Sequence, residues 1–313
     1  TPDRADEEAL GQVFQSVAFD YEVLDAIHDG WLVPIEQQMV HVEGLDYSGI
    51  RTTAGDLNGG DLAAVLDAEK NLQQMAAASL QIIGQRRALV FTASVKAAET
   101  TAEILNRHRA HMASWVCGKT DREERRRVLA DFAAGKLQVV CNCGVLTEGF
   151  DDPGVEVVIM GRPTKSRSLY SQMVGRSTRP LPGVVDGPET ADARRAAIAA
   201  SAKPSCLVVD FVGNCGKHKL ITSADILGGK VSEEAVELAV TMARKAGGPV
   251  KMAKALDEAE AELHEQKRLA EAARRARLVA TARFTTQSVD PFDVLDLDPV
   301  KARGWDKGQQ LSE

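Results

Sequence analysis

Hydrophobic and polar positions follow a regular pattern from residue 87 onward. Short apolar runs alternate there with stretches in which apolar residues recur every three or four positions. The short runs predict buried strands, and the longer spacing predicts amphipathic helices. The predicted strands lie at residues 88–91, 112–116, 137–141, 155–160 and 206–209, and the predicted helices at residues 94–108, 121–134 and 166–173. Because strands that alternate with helices form parallel sheets, we expect an α/β fold with helices on both faces of a parallel sheet.

The flanking parts of the chain have other patterns. The features predicted there are a short helix at 19–27 that ends at Gly30, extended chain at 31–42, a helix at 59–83, an insertion with one helix at 181–204, a helix after Ser232 and a long helix at 250–283. Gly247, Gly248 and Pro249 separate the last two helices, as Gly and Pro commonly do. Leu256, Leu263 and several alanines along the long helix fit either a dimeric coiled coil or packing on the body of the protein.

Composition excludes proteins that are disordered throughout or span a membrane. Hydrophobic residues make up 44% of the 313 positions, and no run approaches the roughly 18 apolar residues of a membrane helix. The chain begins at Thr1 without a basic and apolar leader, so we expect no secretory signal and a fragment of a longer protein. Five scattered cysteines favour reduced thiols and a cytoplasmic location over a disulfide framework.

The charge balance limits how the chain could contact nucleic acid. Its net charge is −7, so such contacts require local clusters of basic residues. One cluster lies at residues 162–179, which contain five Arg or Lys residues and no Asp or Glu. A second is the run Arg125, Arg126 and Arg127, which fits either a solvated helix face or contacts of Arg125 with a nucleic-acid backbone.

The most informative motif occupies residues 172–179. If this stretch is helical, Gln172, Arg176 and Arg179 lie on one face, at positions i, i+4 and i+7. Two guanidinium groups on one face suit a polyphosphate, and Gly175 beside them allows another surface to approach closely. The alternative is a solvated basic helix.

A second motif follows the predicted strand 137–141. Residues 145–154 form a loop at the carboxyl end of that strand, where doubly wound folds bind ligands. Gly149 lies there between carboxylates, among them that of Asp151, and it permits tight backbone contact with a ligand. The alternative is an ordinary turn before Pro153.

These two motifs, together with residues 89–94 and 117–125, resemble motifs IV, IVa, V and VI of the second RecA-like domain of superfamily 2 DEAD/DEAH-type helicases. The resemblance is specific over residues 87–180 and looser over residues 14–229. Residues 20–34 and 206–214 resemble the branch that contains RadD-like DNA repair helicases, restriction-enzyme motor subunits and phage helicases. The resemblance implies a RecA-like parallel sheet, which the Ala- and Glu-rich segment beyond residue 230 would follow as an α-helical C-terminal extension.

The resemblance also implies roles for the matching residues. Arg176 and Arg179 would be arginine fingers that reach the γ-phosphate of ATP across a cleft between two domains. Such a finger is worth about 10³–10⁵ in the rate of phosphoryl transfer. Gly149 and Asp151 would face the nucleotide sugar and the residues that couple hydrolysis to movement. The implied nucleic-acid contacts are Thr147 with a DNA phosphate and Ser94 and Gly118 with the backbone.

By the same resemblance, ATP and Mg²⁺ bind mainly to a first RecA-like domain that this chain lacks. The partners would be DNA and that N-terminal domain, without a membrane. The implied parts are 1–85, a linker region that joins the N-terminal domain; 86–230, the helicase C-terminal domain; 231–283, a helical extension; and 284–313, an acidic-apolar tail. RadD-like proteins carry a cysteine-rich zinc motif, but only Cys215 and His218 stand at that place here, so no metal site is predicted.

Two segments imitate the missing nucleotide-binding motifs. Residues 113–120 resemble a P-loop, but Ala113 replaces its first glycine and the following residues are apolar enough to continue a strand. Residues 207–210 imitate a Walker B strand, but Phe211 follows where a catalytic acid would stand. We interpret both as core strands.

Three functional hypotheses remain at this point. The first is the C-terminal half of an ATP-dependent DNA helicase or translocase that is inactive without its partner domain. The second is a non-catalytic nucleic-acid-binding or assembly module with the same fold, against which the intact arginine pair argues. The third is a self-contained P-loop NTPase, which depends on residues 113–120.

Overall fold

The computed structural model describes residues 21–147, 149–229 and 231–281, except for the side chains of residues 276 and 278–281. The strands in these ranges are β1 Ile35–Asp46, β2 Thr52–Thr53, β3 Asp56–Leu57, β4 Ala88–Thr92, β5 Ala113–Cys117, β6 Val139–Cys143, β7 Val157–Gly161, β8 Cys206–Asn214 and β9 Val250–Lys251. The helices are α1 Val23–His28, α2 Gly59–Leu66, α3 Glu69–Ile83, α4 Val95–His108, α5 Arg122–Ala133, α6 Arg167–Gly175, α7 Ala191–Ala200, α8 Ser223–Leu227, α9 Glu233–Ala246 and α10 Met252–Thr281.

The main sheet has seven strands in the order β5-β6-β4-β7-β8-β1-β9. Every neighbouring pair is parallel except β1 and β9. The α/β fold with a parallel sheet is therefore confirmed. Strand β1 comes from the segment expected to be a linker, and β9 from the segment expected to be a helical extension.

Alternation along each strand builds a core on both faces of the sheet. In β4, Leu89 and Phe91 belong to one apolar cluster, whereas Ala88 and Val90 belong to the other. The first cluster includes residues of α5, α6 and α9, and the second includes residues of α2, α3 and α4. Because the central strands are covered on both sides, they are apolar along nearly their whole length. All five residues of β4 and of β7 are buried.

The helix expected at residues 59–83 is two helices. Ala68 has an extended backbone between α2 and α3, and Asp67 caps the end of α2. No Gly or Pro marks this break in the sequence. The predicted insertion contains one helix, α7, as expected, whereas α8 was not predicted because it has only five residues.

The long predicted helix near the end of the chain is α10. Leu256 and Ala259 lie in the core, with 1% and 0% of their surface exposed, which favours packing over a dimeric seam at these positions. The chain divides into two compact units, residues 1–264 and 265–313. In the described part of the second unit, ion pairs join Glu265 to Arg268 and Glu271 to Arg275 along the helix. Within the described ranges, no helix has both the length and the apolar character that spanning a bilayer requires.

Candidate nucleotide and nucleic-acid interface

The candidate residues gather at the carboxyl edge of the sheet. Strands β5, β6 and β4 are consecutive in the sheet, and Gly118, Thr147 and Ser94 follow their carboxyl ends. Open α/β sheets bind ligands outside this edge because the loops there converge. Helix α6 and the residues after it bring Arg176 and Arg179 against the β6–β7 loop, residues 144–156.

Arg176 fastens the β6–β7 loop to the end of α6. It is the C-cap residue of that helix, and its guanidinium donates hydrogen bonds to three main-chain carbonyl oxygens. Nε donates to Gln172 at 3.2 Å, Nη2 donates to Thr147 at 2.8 Å, and Nη1 donates to Phe150. Since these bonds occupy the planar fork, Arg176 in this conformation holds the loop and does not face open solvent.

Arg179 is not on the helical face that the spacing predicted. Helix α6 ends at Gly175, so Arg179 lies four residues beyond it in irregular backbone. Its side chain is nevertheless 58% exposed, and Nη1 lies 2.7 Å from Oδ2 of Asp151, whose side chain is 53% exposed. Exposed ion pairs contribute only about 0–1 kcal/mol, so Asp151 can give up this guanidinium to a phosphate at little cost.

Two further cations hold the backbone around the exposed pair. Arg87 makes a two-pronged salt bridge to Asp152, with distances of 2.9 and 3.1 Å. Lys203 is 1% exposed, and its ammonium donates to the carbonyl oxygens of Pro153 and Arg179, each at 2.7 Å. Burial lowers the pKa of Lys203 to about 8, so the ammonium form predominates at neutral pH. No pattern in the sequence pointed to this residue, which lies in the insertion next to Pro204.

The glycines of the two motifs differ in what their positions require. Gly149 has φ +69°, in the left-handed region that favours glycine, and no atom outside its chain neighbours would contact a Cβ there. Gly175 is exposed with open space around it. At Gly154 a Cβ would fall 1.0 Å from Nη2 of Arg87, so the Arg87–Asp152 bridge requires glycine at this point. Gln172 is half-buried on α6.

The predicted nucleic-acid residues are positioned by their own loops. Ser94 caps α4 by accepting from the backbone N–H of Ala97 at 2.8 Å, and it donates to Asp67 at 2.6 Å. Gly118 is exposed, and Thr147 is half-buried. Arg125 points toward the strand end instead of outward, because Nη2 donates to the carbonyl oxygens of Cys117 and Thr120 at 2.9 and 3.3 Å.

The basic segment 162–179 has acidic partners that its local sequence does not show. Arg162 lies 3.8 Å from Asp56, and Arg167 lies 3.8 Å from Glu22. Asp56 also accepts hydrogen bonds from Thr164 and from the backbone N–H of Lys165. The segment itself contains no Asp or Glu, and the acidic partners of Arg162 and Arg167 come from residues more than 100 positions away.

Both imitations of nucleotide-binding motifs are core strands, as expected. Ala113–Cys117 is β5, so no phosphate-binding loop exists at that point, and Leu207 to Asp210 lie in β8. Asp210 accepts hydrogen bonds from Gln37 and from Tyr170, and burial raises its pKa to about 6. A cavity of about 310 Å³ lies beside Asp210, and none of the predicted site residues lines it.

The arrangement around Arg179 suits a phosphate group. Arg179 offers an exposed guanidinium whose carboxylate partner is exchangeable, and Gly149 leaves open space beside it. Among the described residues, no three His, Cys, Asp or Glu side chains come together as a metal site requires. The exposed Arg179 guanidinium therefore offers a contact for a phosphate group.

Part of the chain is similar to a known protein family. Residues 70–180 match the model of the helicase conserved C-terminal domain. The chain is 28% identical over 216 residues to the "Putative ATP-dependent helicase IRC3" of Saccharomyces cerevisiae, which covers 68% of this chain and 28% of that protein. It is 36% identical over 94 residues to a "51.5 kDa protein" of a Lactococcus phage, covering 30% of this chain and 21% of that protein. The chain thus spans about a quarter of the length of these relatives.

Among solved structures, the fold is similar to that of a "putative HsdR subunit of a type I restriction enzyme" from Vibrio vulnificus YJ016. The TM-score is 0.50 at 18% identity, and the alignment covers 69% of this chain and 38% of that structure. At this identity the likeness concerns the fold alone.

Proposed function

We propose, from the match of residues 70–180 to the helicase conserved C-terminal domain, that this chain is the C-terminal motor domain of an ATP-dependent DNA helicase or translocase. The observation that carries the proposal is the exposed Arg179 guanidinium, held on Asp151 next to a loop that three other cations fix in place. A rigid loop and an exchangeable ion pair are what an arginine finger needs before its phosphate arrives.

In this proposal the P-loop and the DEAH-type box lie on an N-terminal RecA-like domain outside the chain, and that domain binds most of the ATP and Mg²⁺. Bound Mg²⁺ neutralises phosphate charge there. When the two domains close, Arg179 leaves Asp151 and donates to the γ-phosphate. Arg176 keeps the β6–β7 loop at the end of α6, so Gly149 and Asp151 face the nucleotide.

The nucleic-acid partner is assigned to the carboxyl edge of the sheet. Gly118, Thr147 and Ser94 lie there on consecutive strands, which permits contacts with successive phosphates of one strand. We place the parent protein in the cytoplasm and favour DNA repair, restriction or phage replication as its setting.

The test is Arg179→Lys in the complete protein that contains this chain. Lysine keeps the charge but not the planar fork that holds two phosphate oxygens. The loss should fall on kcat, by about 10³-fold, with little change in nucleotide affinity. Steady-state ATPase kinetics and a thermal-unfolding control measure both effects.

A matched control is Arg275→Lys, since Arg275 is also exposed and also lies 2.7 Å from a carboxylate. It should leave kcat unchanged. A near-normal kcat for Arg179→Lys would refute the finger role. A collapse of its Tm would show that Arg179 serves the fold instead.

A further inference from the structure

Two cysteines face each other where β5 and β6 end. Cys117 and Cys143 are the last residues of their strands and are direct partners in the parallel register. Neighbouring strands lie about 4.8 Å apart. That spacing falls within the Cα separations of about 4.4–6.8 Å that disulfides span.

The side chains of this pair lie on the same face of the sheet. Two register positions earlier, Trp115 is the partner of Cys141, and both pack in the apolar cluster on the α3–α4 side. Because side chains alternate along a strand, Cys117 shares the face of Trp115, and Cys143 shares the face of Cys141. Cys143 also packs against that cluster.

The two thiols have complementary environments. Cys117 is buried, but its sulfur accepts hydrogen bonds from the backbone N–H of Lys119 at 3.4 Å and from the hydroxyl of Thr120 at 3.7 Å. Although burial opposes them, these bonds hold the pKa of Cys117 below its ordinary value. Cys143 is only half-buried, and burial raises its pKa. The accessible sulfur thus lies beside the one that more readily becomes a thiolate.

We propose that Cys117 and Cys143 form a reversible intramolecular disulfide by exchange with a low-molecular-weight disulfide such as oxidised glutathione. The Cys143 thiolate attacks one sulfur of oxidised glutathione, which breaks its S–S bond and releases one glutathione thiolate. The Cys117 thiolate then attacks Cys143 Sγ and releases the second. Two cysteine thiols are oxidised, one glutathione disulfide is reduced to two glutathione molecules, and each released thiolate takes up one of the two cysteine protons.

The disulfide would change the turn that follows β5. Once Cys117 is bonded to Cys143, its sulfur is no longer a thiolate acceptor for Lys119 and Thr120. The turn that carries Gly118 then loses two of the contacts that fix it. This inference concerns the sheet and its thiols and does not depend on the proposed helicase function.

The test uses the full 313-residue chain equilibrated with mixtures of oxidised and reduced glutathione. After acid quenching and alkylation of free thiols, peptide mass spectrometry should find Cys117 linked to Cys143. The exchange that forms the intramolecular disulfide releases two glutathione molecules. At constant oxidised glutathione, tripling the reduced glutathione should therefore lower the ratio of oxidised to reduced chain about ninefold. If the product were a single mixed disulfide with glutathione, the same change would lower that ratio about threefold.

Variants separate the two steps. Cys117→Ser should accumulate glutathione on Cys143, because the resolving thiol is gone. Cys215→Ser is the matched control, since Cys215 is also half-buried, and it should leave the linkage unchanged. A threefold dependence in the unaltered chain, a disulfide to Cys141 or Cys215, or a disulfide-linked dimer would overturn the proposal.

Discussion

Arg176 and Arg179 are three positions apart, yet their surroundings give them different tasks. Arg176 donates its hydrogen bonds to carbonyl oxygens of the same chain, whereas Arg179 forms an ion pair with one exposed carboxylate. A side chain that is to bind a phosphate must be easy to release from its resting partner. A side chain that positions a loop must instead keep its partners. In the proposed function, Arg179 therefore has the catalytic role and Arg176 positions the loop.

This division predicts a loss of stability when Arg176 is replaced and little change when Arg179 is replaced. In Arg176→Lys a single ammonium cannot bond Phe150 and Thr147 as the guanidinium does. Two charge-assisted hydrogen bonds weaken, and the free energy of unfolding should fall by about 1–3 kcal/mol. Hydrogen exchange should rise in residues 149–153. Urea unfolding and exchange measurements on the chain test this, with Arg179→Lys as the comparison that should change neither.

One result would contradict the prediction for Arg176→Lys. If Arg176→Lys unfolds at the same urea concentration as the unaltered chain and exchanges no faster, the carbonyl contacts do not fix the loop. Arg176 would then be able to reach the nucleotide, as the resemblance to superfamily 2 helicases implies.

At the residue scale the sequence predicted candidate site residues, but it did not predict what their side chains contact. The arginines were identified from spacing, but the helix that was to align them ends at Gly175. Lys203 and Asp56 escaped notice because their partners are distant in sequence, and no local pattern reveals a contact of that kind. The sequence shows the chemistry of each side chain directly, whereas the partners of that side chain depend on the tertiary fold.

Elements were predictable where periodicity was strong. Strands β4, β6 and β7 lie within two residues of their predicted bounds because buried strands in a parallel sheet are continuous apolar runs. The break between α2 and α3 depends instead on tertiary contacts, since Asp67 accepts a hydrogen bond from Ser94 at the start of α4. Short elements such as α8 and β9 contain too few residues to show a period.

A buried network across three elements predicts a dependence of stability on pH. Asp210 of β8 is bonded by Gln37 of β1 and Tyr170 of α6, and burial raises its pKa to about 6. Between about pH 4 and 6 the folded chain keeps a proton that the unfolded chain releases. The free energy of unfolding should therefore fall as pH rises through this window, by about 3 kcal/mol at most.

Asp210→Asn tests this assignment because asparagine keeps the shape and does not titrate. Urea unfolding of both chains at intervals from pH 4 to 7 should show the decline only in the unaltered chain. Parallel curves would mean that Asp210 is ionised throughout and that the network owes nothing to a proton.

The basic residues that follow β7, in the segment 162–179, predict salt-dependent binding of single-stranded nucleic acid. Each phosphate neutralised contributes about −0.7 to the slope of log affinity against log salt. Arg162 and Arg167 have acidic partners, so we expect a shallow slope. Lys165→Gln should reduce it by about 0.7, and fluorescence anisotropy with a labelled oligonucleotide measures it. Lys136→Gln, at the opposite edge of the sheet, is the control, and an equal reduction there would argue against a site near Lys165.

At the scale of the whole molecule, the sequence predicted the fold class but not which segments complete the sheet. Periodicity indicates whether a segment is a strand or a helix. The order of the strands depends instead on which faces of the sheet and helices are buried against one another. Strand β1 joined the sheet beside β8 because its residues Ile35 and Gln37 are buried there. The unit that begins at Glu265 continues α10 without a change of pattern that would mark a boundary.

The distribution of chemistry over the chain predicts that these 313 residues alone do not hydrolyse ATP at a measurable steady rate. The described residues offer an arginine and open backbone for phosphate, but no cluster of carboxylates for Mg²⁺, and the segment that imitates a P-loop is strand β5. In the proposed function, most of the phosphate binding, the metal ligation and the water activation come from the N-terminal domain. A coupled ATPase assay with and without single-stranded DNA tests this, and Lys119→Ala separates the alternatives. Turnover that DNA stimulates and that Lys119→Ala abolishes would show that the turn after β5 binds phosphate. The chain would then be a self-contained NTPase, and the role assigned to Arg179 would have to be sought within a single domain.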